Sequence, residues 1–278
     1  MPQNVIHIIL YSLVSGLAEF LPISSSAHQL LYKEMTGFPV EGEWLTLAVR
    51  IGVLLALLAG CHARMKRFSR DLRLSRRSSR HRKGSHSGES ALADLRLLRT
   101  AGVPVLISVL FYMRAGEWIN NTVSVAITLF LNAMLLFAPR LWGQGNKDGC
   151  SLSFWDGVLM GLLGGLAAIP GISQIAGVTC AGLIRGGRRA YILDVALLLC
   201  IPLLLGLLVF DIYAVAVCGI GLSLSTFFLF VLSIALSFLG GYLGIITVRF
   251  LSVNVGFGGF GYYSLGLALF AFVLYLAI

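Results

Sequence analysis

Charge is scarce in this sequence. Asp, Glu, Lys and Arg make up 12% of its 278 residues, where soluble domains carry about 25%. Hydrophobic residues account for 58%. A soluble core cannot use that much apolar surface, so a polytopic membrane protein is expected. Cysteine is sparse as well. Cys61, Cys150, Cys180, Cys200 and Cys218 lie scattered in or beside apolar stretches, and none forms a C-x-x-C pair. That spacing argues against a disulfide framework and against a zinc enzyme, and leaves them as small packing residues. The N-terminus lacks a basic segment, and Pro22 and three serines interrupt its first apolar run. No removable signal peptide is therefore expected.

Acid is scarcer than base, with 12 acidic residues against 21 basic ones and a net charge of +9. The excess is local. Between His62 and Arg99 lie 12 of the 21 basic residues, with Asp71, Glu89 and Asp94 as the acids. A run flanked by membrane segments is what a cytoplasmic loop looks like. Nucleic-acid binding is not expected of it, though it can attract anionic lipid headgroups.

Six apolar stretches can span a bilayer: 44–62, 100–119, 122–140, 190–210, 225–248 and 257–277. A span needs about 20 apolar residues. Two further stretches are each broken in the middle. Residues 5–32 are interrupted at Pro22-Ile23-Ser24-Ser25-Ser26, and residues 154–186 at Pro170-Gly171-Ile172-Ser173-Gln174. Short apolar arms around a polar turn predict re-entrant hairpins, which are tolerated where they are buried in protein or line a cavity. With 63–98 placed in the cytoplasm, Arg185, Arg188, Arg189 and Arg249 also fall inside. The expected fold is an all-α integral membrane protein. It has six transmembrane helices plus two re-entrant helical hairpins in an inverted-topology repeat. A single domain is expected over 1–278, with a first repeat at 1–140 and a second at 141–278. The stretch from Asp211 to Ser223 reads as a short connection.

The chemistry concentrates at the two breaks. Glu19 sits at hairpin depth, and an unpaired carboxylate there is costly, which makes it a functional candidate. Ser24, Ser25, Ser26 and His28 follow at once. Together they supply a base, a nucleophile and donors for an anion. The amides opening the second arm add a positive helix end for a phosphate.

The block Glu19-Phe20-Leu21-Pro22-Ile23-Ser24-Ser25-Ser26-Ala27-His28, with Pro170-Gly171-Ile172-Ser173 in the second half, resembles the undecaprenyl-diphosphate phosphatases of bacterial membranes (the bacitracin-resistance type). Gly182, Leu183, Gly186, Arg189 and Ile201-Pro202 also sit at that family's spacing. The resemblance implies hydrolysis of undecaprenyl diphosphate to undecaprenyl phosphate and phosphate. The reaction would take place at the outer face of the bacterial cytoplasmic (inner) membrane and recycle the carrier lipid of cell-wall synthesis. It further implies Glu19, Ser25 and His28 as catalytic residues. Ser24, Ser26, Arg50, Ser173, Gln174 and Thr179 are expected at the substrate phosphates. With Glu19 the one deep carboxylate, no protein-built metal site is expected; a Mg²⁺ or Ca²⁺ ion would be held jointly with substrate phosphate.

The chain departs from the family's pattern. The family's first acid is Ser15, its motif arginine is Gln174, and the serine after that is Ile175. Arg50 lies mid-span where the family carries a neutral residue. It is expected either to enter the cavity and replace the lost cation or to pair with Glu19. The alternative function is a non-hydrolysing polyprenyl-phosphate binder or flippase; a phosphatase for another lipid diphosphate is a third.

Overall fold

A computed structural model describes residues 2–38, 43–78, 86–119, 121–141, 145–218 and 223–277. Among these the chain is helical, with one isolated bridge, Lys147 to Gly187, between two connections. The helices are α1 Pro2–Glu19, α2 Ser25–Thr36, α3 Glu43–Ser78, α4 His86–Ile119, α5 Thr122–Phe137, α6 Phe154–Gly165, α7 Gln174–Ile184, α8 Arg189–Cys218, α9 Leu224–Asn254 and α10 Gly258–Ala277.

Local chemistry sets the ends. Gly37 closes α2 in the left-handed conformation, its N–H bonded to the Lys33 carbonyl, as C-terminal glycines do. Asn121 caps α5 and Ser223 caps α9 through their side chains. Ser153 and Asp156 form a reciprocal capping box on α6. Five helices among the described residues are long and apolar enough to cross a membrane: α3, α5, α8, α9 and α10. The sixth expected span, 100–119, forms the second part of α4.

Two expectations are corrected. The basic segment 63–98 is not a loop over most of its length: α3 runs on to Ser78 and α4 begins at His86, while 79–85 lie outside the described residues. Arginine and lysine are good helix formers, so the helices continue where the apolar run stops. Likewise, α8 runs to Cys218 and carries Asp211 within it, where a connection was expected.

The packing has a matched pattern. α1 and α3 lie on α9 and α6 lies on α4, while α5 pairs with α10 and α3 also meets α8. Small residues let backbones approach at both hairpin contacts. A methyl group at Gly16 of α1 would lie 2.4 Å from the Ser237 carbonyl oxygen of α9, and one at Gly161 of α6 would lie 2.3 Å from that of Ala101 in α4. One core cluster joins α1, α3, α4, α6, α7, α8 and α9 and takes in Leu136 of α5 and Phe260 of α10, and a second joins α2, α5 and α10. The first break packs into the first cluster through Phe20, Leu21 and Ile23. Large apolar side chains such as Leu110, Phe130, Phe228 and Leu269 cover the outside, as a bilayer environment requires.

Candidate active site

The first break begins where α1 ends at Glu19. The chain turns through 20–23, closed by a bond of 2.8 Å from Ile23 N–H to the Leu21 carbonyl. Phe20 is fully buried and anchors the turn. Ser24 then adopts φ +66, the left-handed region that side chains other than glycine seldom enter. Its hydroxyl caps α2 at the Ala27 N–H, 3.4 Å away, and lies 3.1 Å from Ser26 Oγ. Ser25 opens α2. Its hydroxyl donates to Glu19 Oε2 at 2.5 Å. The acid ending one helix therefore holds the hydroxyl that starts the next, at the positive end of α2.

The second break has its own turn. Gly171 stands at φ +100, and a Cβ there would meet Thr128 Oγ1 at 1.9 Å, so both conformation and space demand glycine. Ser173 precedes α7. Its side chain does not cap that helix; it reaches toward the Leu21 carbonyl in the other break, at 3.5 Å. The Gly171 N–H donates to Ser26 Oγ at 3.3 Å, so the breaks touch directly.

α5 ties them together. Asn132 is fully buried. Its Nδ2 donates to the Pro22 carbonyl at 3.0 Å and to Ser264 Oγ of α10 at 3.1 Å. Its Oδ1 accepts the Ser173 N–H at 2.9 Å. One turn earlier, Thr128 donates to the Pro170 carbonyl at 2.5 Å. A single amide thus satisfies backbone groups of both turns that would otherwise be buried without partners.

Between the breaks lies a cavity of about 70 Å³. Glu19, Ser24, Ser25 and Ser26 line it from one side, and Ser173 and Gln174 from the other, with Arg50 from α3. All the expected site residues except His28 and Thr179 therefore meet at one space. Thr179 is buried in α7, where its hydroxyl donates to the Ile175 and Ala176 carbonyls. His28 faces α10. Its Nδ1 lies 2.8 Å from the Ser24 carbonyl and its Nε2 2.8 Å from the Tyr263 hydroxyl. A carbonyl only accepts, so Nδ1 carries a proton in this arrangement.

Gln174 donates through Nε2 to the Leu199 carbonyl of α8 at 2.9 Å, and its buried Oε1 has no hydrogen-bond partner among the described residues. Arg50 lines the cavity, and its Nε donates to Asp211 Oδ2 at 2.8 Å, where the sequence offered Glu19 as the partner. Sequence reasoning missed Asp211, Asn132, Thr128 and Tyr263. The available signal was one polar residue in an otherwise apolar run: Asp211 and Arg50 are each costly at depth, and mutual pairing lowers that cost.

Long apolar helices around a buried cavity, with a carboxylate set on a serine hydroxyl, make this a multi-pass membrane protein with an acid–hydroxyl site. The chain belongs to the bacitracin resistance protein BacA family, whose model matches residues 8–270. It is 31% identical over 203 residues to an undecaprenyl-diphosphatase of Nitrosococcus oceani, covering 73% of this chain and 74% of that protein. It is 30% identical over 270 residues to an undecaprenyl-diphosphatase of Renibacterium salmoninarum, covering 94% and 92%. It is also 28% identical over 242 residues to an undecaprenyl-diphosphatase of Alkaliphilus metalliredigens, covering 86% and 87%.

Proposed function

We propose that this protein hydrolyses undecaprenyl diphosphate to undecaprenyl phosphate and inorganic phosphate. Family membership and the names of its relatives support the reaction, and the Ser25 hydroxyl seated on the Glu19 carboxylate carries the chemistry. In this reading Glu19 takes the Ser25 proton as Oγ attacks the terminal phosphorus. The bond to the bridging oxygen breaks, and undecaprenyl phosphate leaves. Water then cleaves the phosphoserine, releasing phosphate and returning the proton to Ser25. Such transfers depend mainly on alignment and on neutralising charge. Arg50 supplies that charge from α3, and Ser24, Ser26 and Ser173 supply neutral polar contacts. Gln174 adds to the polar wall in place of a cation. His28 positions the start of α2 by holding the Ser24 carbonyl and Tyr263 together. Thr179 bonds only carbonyls of its own helix among the described residues.

No cluster of three His, Cys, Asp or Glu suited to a metal occurs among the described residues. Glu19 with its serine neighbours fits a hard cation shared with the substrate. A Mg²⁺ or Ca²⁺ ion so held would neutralise diphosphate charge.

We read the architecture as six spans and two re-entrant hairpins in an inverted repeat, with 1–140 matched to 141–278. The paired contacts α1 on α9 and α6 on α4 support it. We place the protein in the bacterial cytoplasmic membrane on the strength of its family, and the positive-inside assignment supports a site open to the outer face.

The test is phosphate release from farnesyl or undecaprenyl diphosphate by the purified protein. Turnover is expected, and Glu19→Ala should lower it by about 10²–10⁴-fold, the usual range for losing a positioned base. Lipid binding without release by the wild type would overturn hydrolysis in favour of a lipid-phosphate binder.

A further inference from the structure

A separate cavity of about 70 Å³ lies at the end of the bundle where α5 finishes and α8 and α10 begin. Its walls among the described residues are mostly apolar side chains and glycine backbone. Two charged side chains line it, Arg140 and Arg189, and no carboxylate does.

Both guanidiniums lie against the α9–α10 corner. Arg140 follows α5, its guanidinium carbon 5.4 Å from the Phe137 ring centre and 5.5 Å from that of Tyr262. The rings attract its faces and fix its position, but they leave its charge in place. Arg189 is the first residue of α8, and its Nη1 would lie 3.4 Å from a Cβ at Gly256. A Cβ at Gly258 would collide with Arg140 Nη2, at 1.8 Å. Glycine at 256 and 258 therefore admits two cations to one corner. Gly258 also begins α10, whose first amides add positive potential there.

Three other arginines of the bundle carry acid partners. Arg64 is paired with Asp94, Arg185 with Asp156 and Arg249 with Asp194. Arg140 and Arg189 have no carboxylate within 4.0 Å among the described residues. Two like charges facing one small, acid-free space are an arrangement that an anion would complete.

We propose that this cavity is a second anion site, for a phosphate group. Its volume of about 70 Å³ exceeds the roughly 30 Å³ that one water takes in the liquid, so it has room for a small anion. Two guanidinium forks match the oxygens and the double negative charge of a phosphate. The phosphate belongs either to the headgroup of a lipid monophosphate at the membrane surface or to a free ion. Occupancy here is independent of hydrolysis at Glu19.

Binding to the full-length protein in dodecyl maltoside tests this, by calorimetric titration and by native mass spectrometry. The probes are farnesyl phosphate, inorganic phosphate and farnesol as a neutral control. Farnesyl phosphate is expected to bind in two equivalents. Arg140→Gln and Arg189→Gln should each weaken one of them at least tenfold, while Arg50→Gln weakens the other. The pair Arg140→Lys with Arg189→Lys keeps the charge, so it should retain both equivalents at reduced affinity and controls for folding. Loss of inorganic phosphate binding in the same glutamine variants would point to a free ion; loss of farnesyl phosphate alone would point to a lipid headgroup. Absence of any farnesyl phosphate or inorganic phosphate equivalent beyond the one that depends on Arg50, or glutamine variants within twofold of wild-type affinity for both probes, would overturn the proposal.

Discussion

At the scale of single residues, the buried pair of Arg50 and Asp211 separates fold from function. Their side chains are 15% and 6% exposed, so removing one leaves the other charged and largely desolvated. Asp211→Asn should destabilise the protein by about 3–5 kcal/mol. A double variant, Arg50→Met with Asp211→Leu, should recover most of that loss because both charges disappear together. It should not recover turnover if Arg50 is the phosphate's cation. Unfolding in detergent and phosphate release on the same samples check the two halves. Full activity in the double variant would remove Arg50 from the site. The pair also marks where the sequence stopped being legible. Arg50 stood out at once as a charge amid apolar residues. Asp211 did not, because it lies at the end of an apolar run and read as the beginning of a connection. His28 shows a different gap: spacing placed it one turn into α2, but only packing against α10 decides that its ring meets Tyr263 and not the cavity.

At the scale of elements, α5 is the support on which both breaks rest. Asn132→Leu deletes bonds to the Pro22 carbonyl and the Ser173 N–H and leaves both buried. The expected cost is roughly 2–6 kcal/mol, at about 1–3 for each of two orphaned groups. Turnover should fall further than stability alone explains, because Ser173 and the turn behind Ser25 lose their common anchor. Asn132→Asp keeps the acceptor for Ser173 and loses the donor to Pro22, so it should fall between. If kcat in Asn132→Leu tracks the folded fraction alone, α5 is a passive neighbour. The breaks themselves were readable, since proline, glycine and serine in an apolar run can hardly be anything but a turn. The strut was not, because one asparagine inside an apolar span has no partner until the fold brings it one. Helix lengths failed for another reason. Hydropathy reports where a membrane ends, whereas α3 continues through its arginines because nothing in them breaks a helix.

At the scale of the whole molecule, the proposed topology makes a prediction about sidedness. Cys150 is exposed in the connection between α5 and α6, while Cys61, Cys180 and Cys200 are buried. In a Cys218→Ser background, a membrane-impermeant maleimide should label inverted vesicles at Cys150 and leave intact spheroplasts unlabelled. Labelling of spheroplasts would reverse the orientation and put the Glu19 cavity on the cytoplasmic side. The two broken segments were legible in the sequence as proline, glycine and serine inside apolar runs. Their exchange of partners was not, because no local pattern states that α1 belongs on α9.

That exchange governs the order in which the molecule can be made. α1 leaves the ribosome long before α9, yet most of the surface it packs on begins at Leu224. A nascent chain must hold Glu19, a costly acid in an apolar setting, through the synthesis of everything between. Long-range closure of this kind slows assembly and leaves apolar surface waiting. Truncation within α9 should therefore strand the opening helix of the chain, although the break lies at the other terminus.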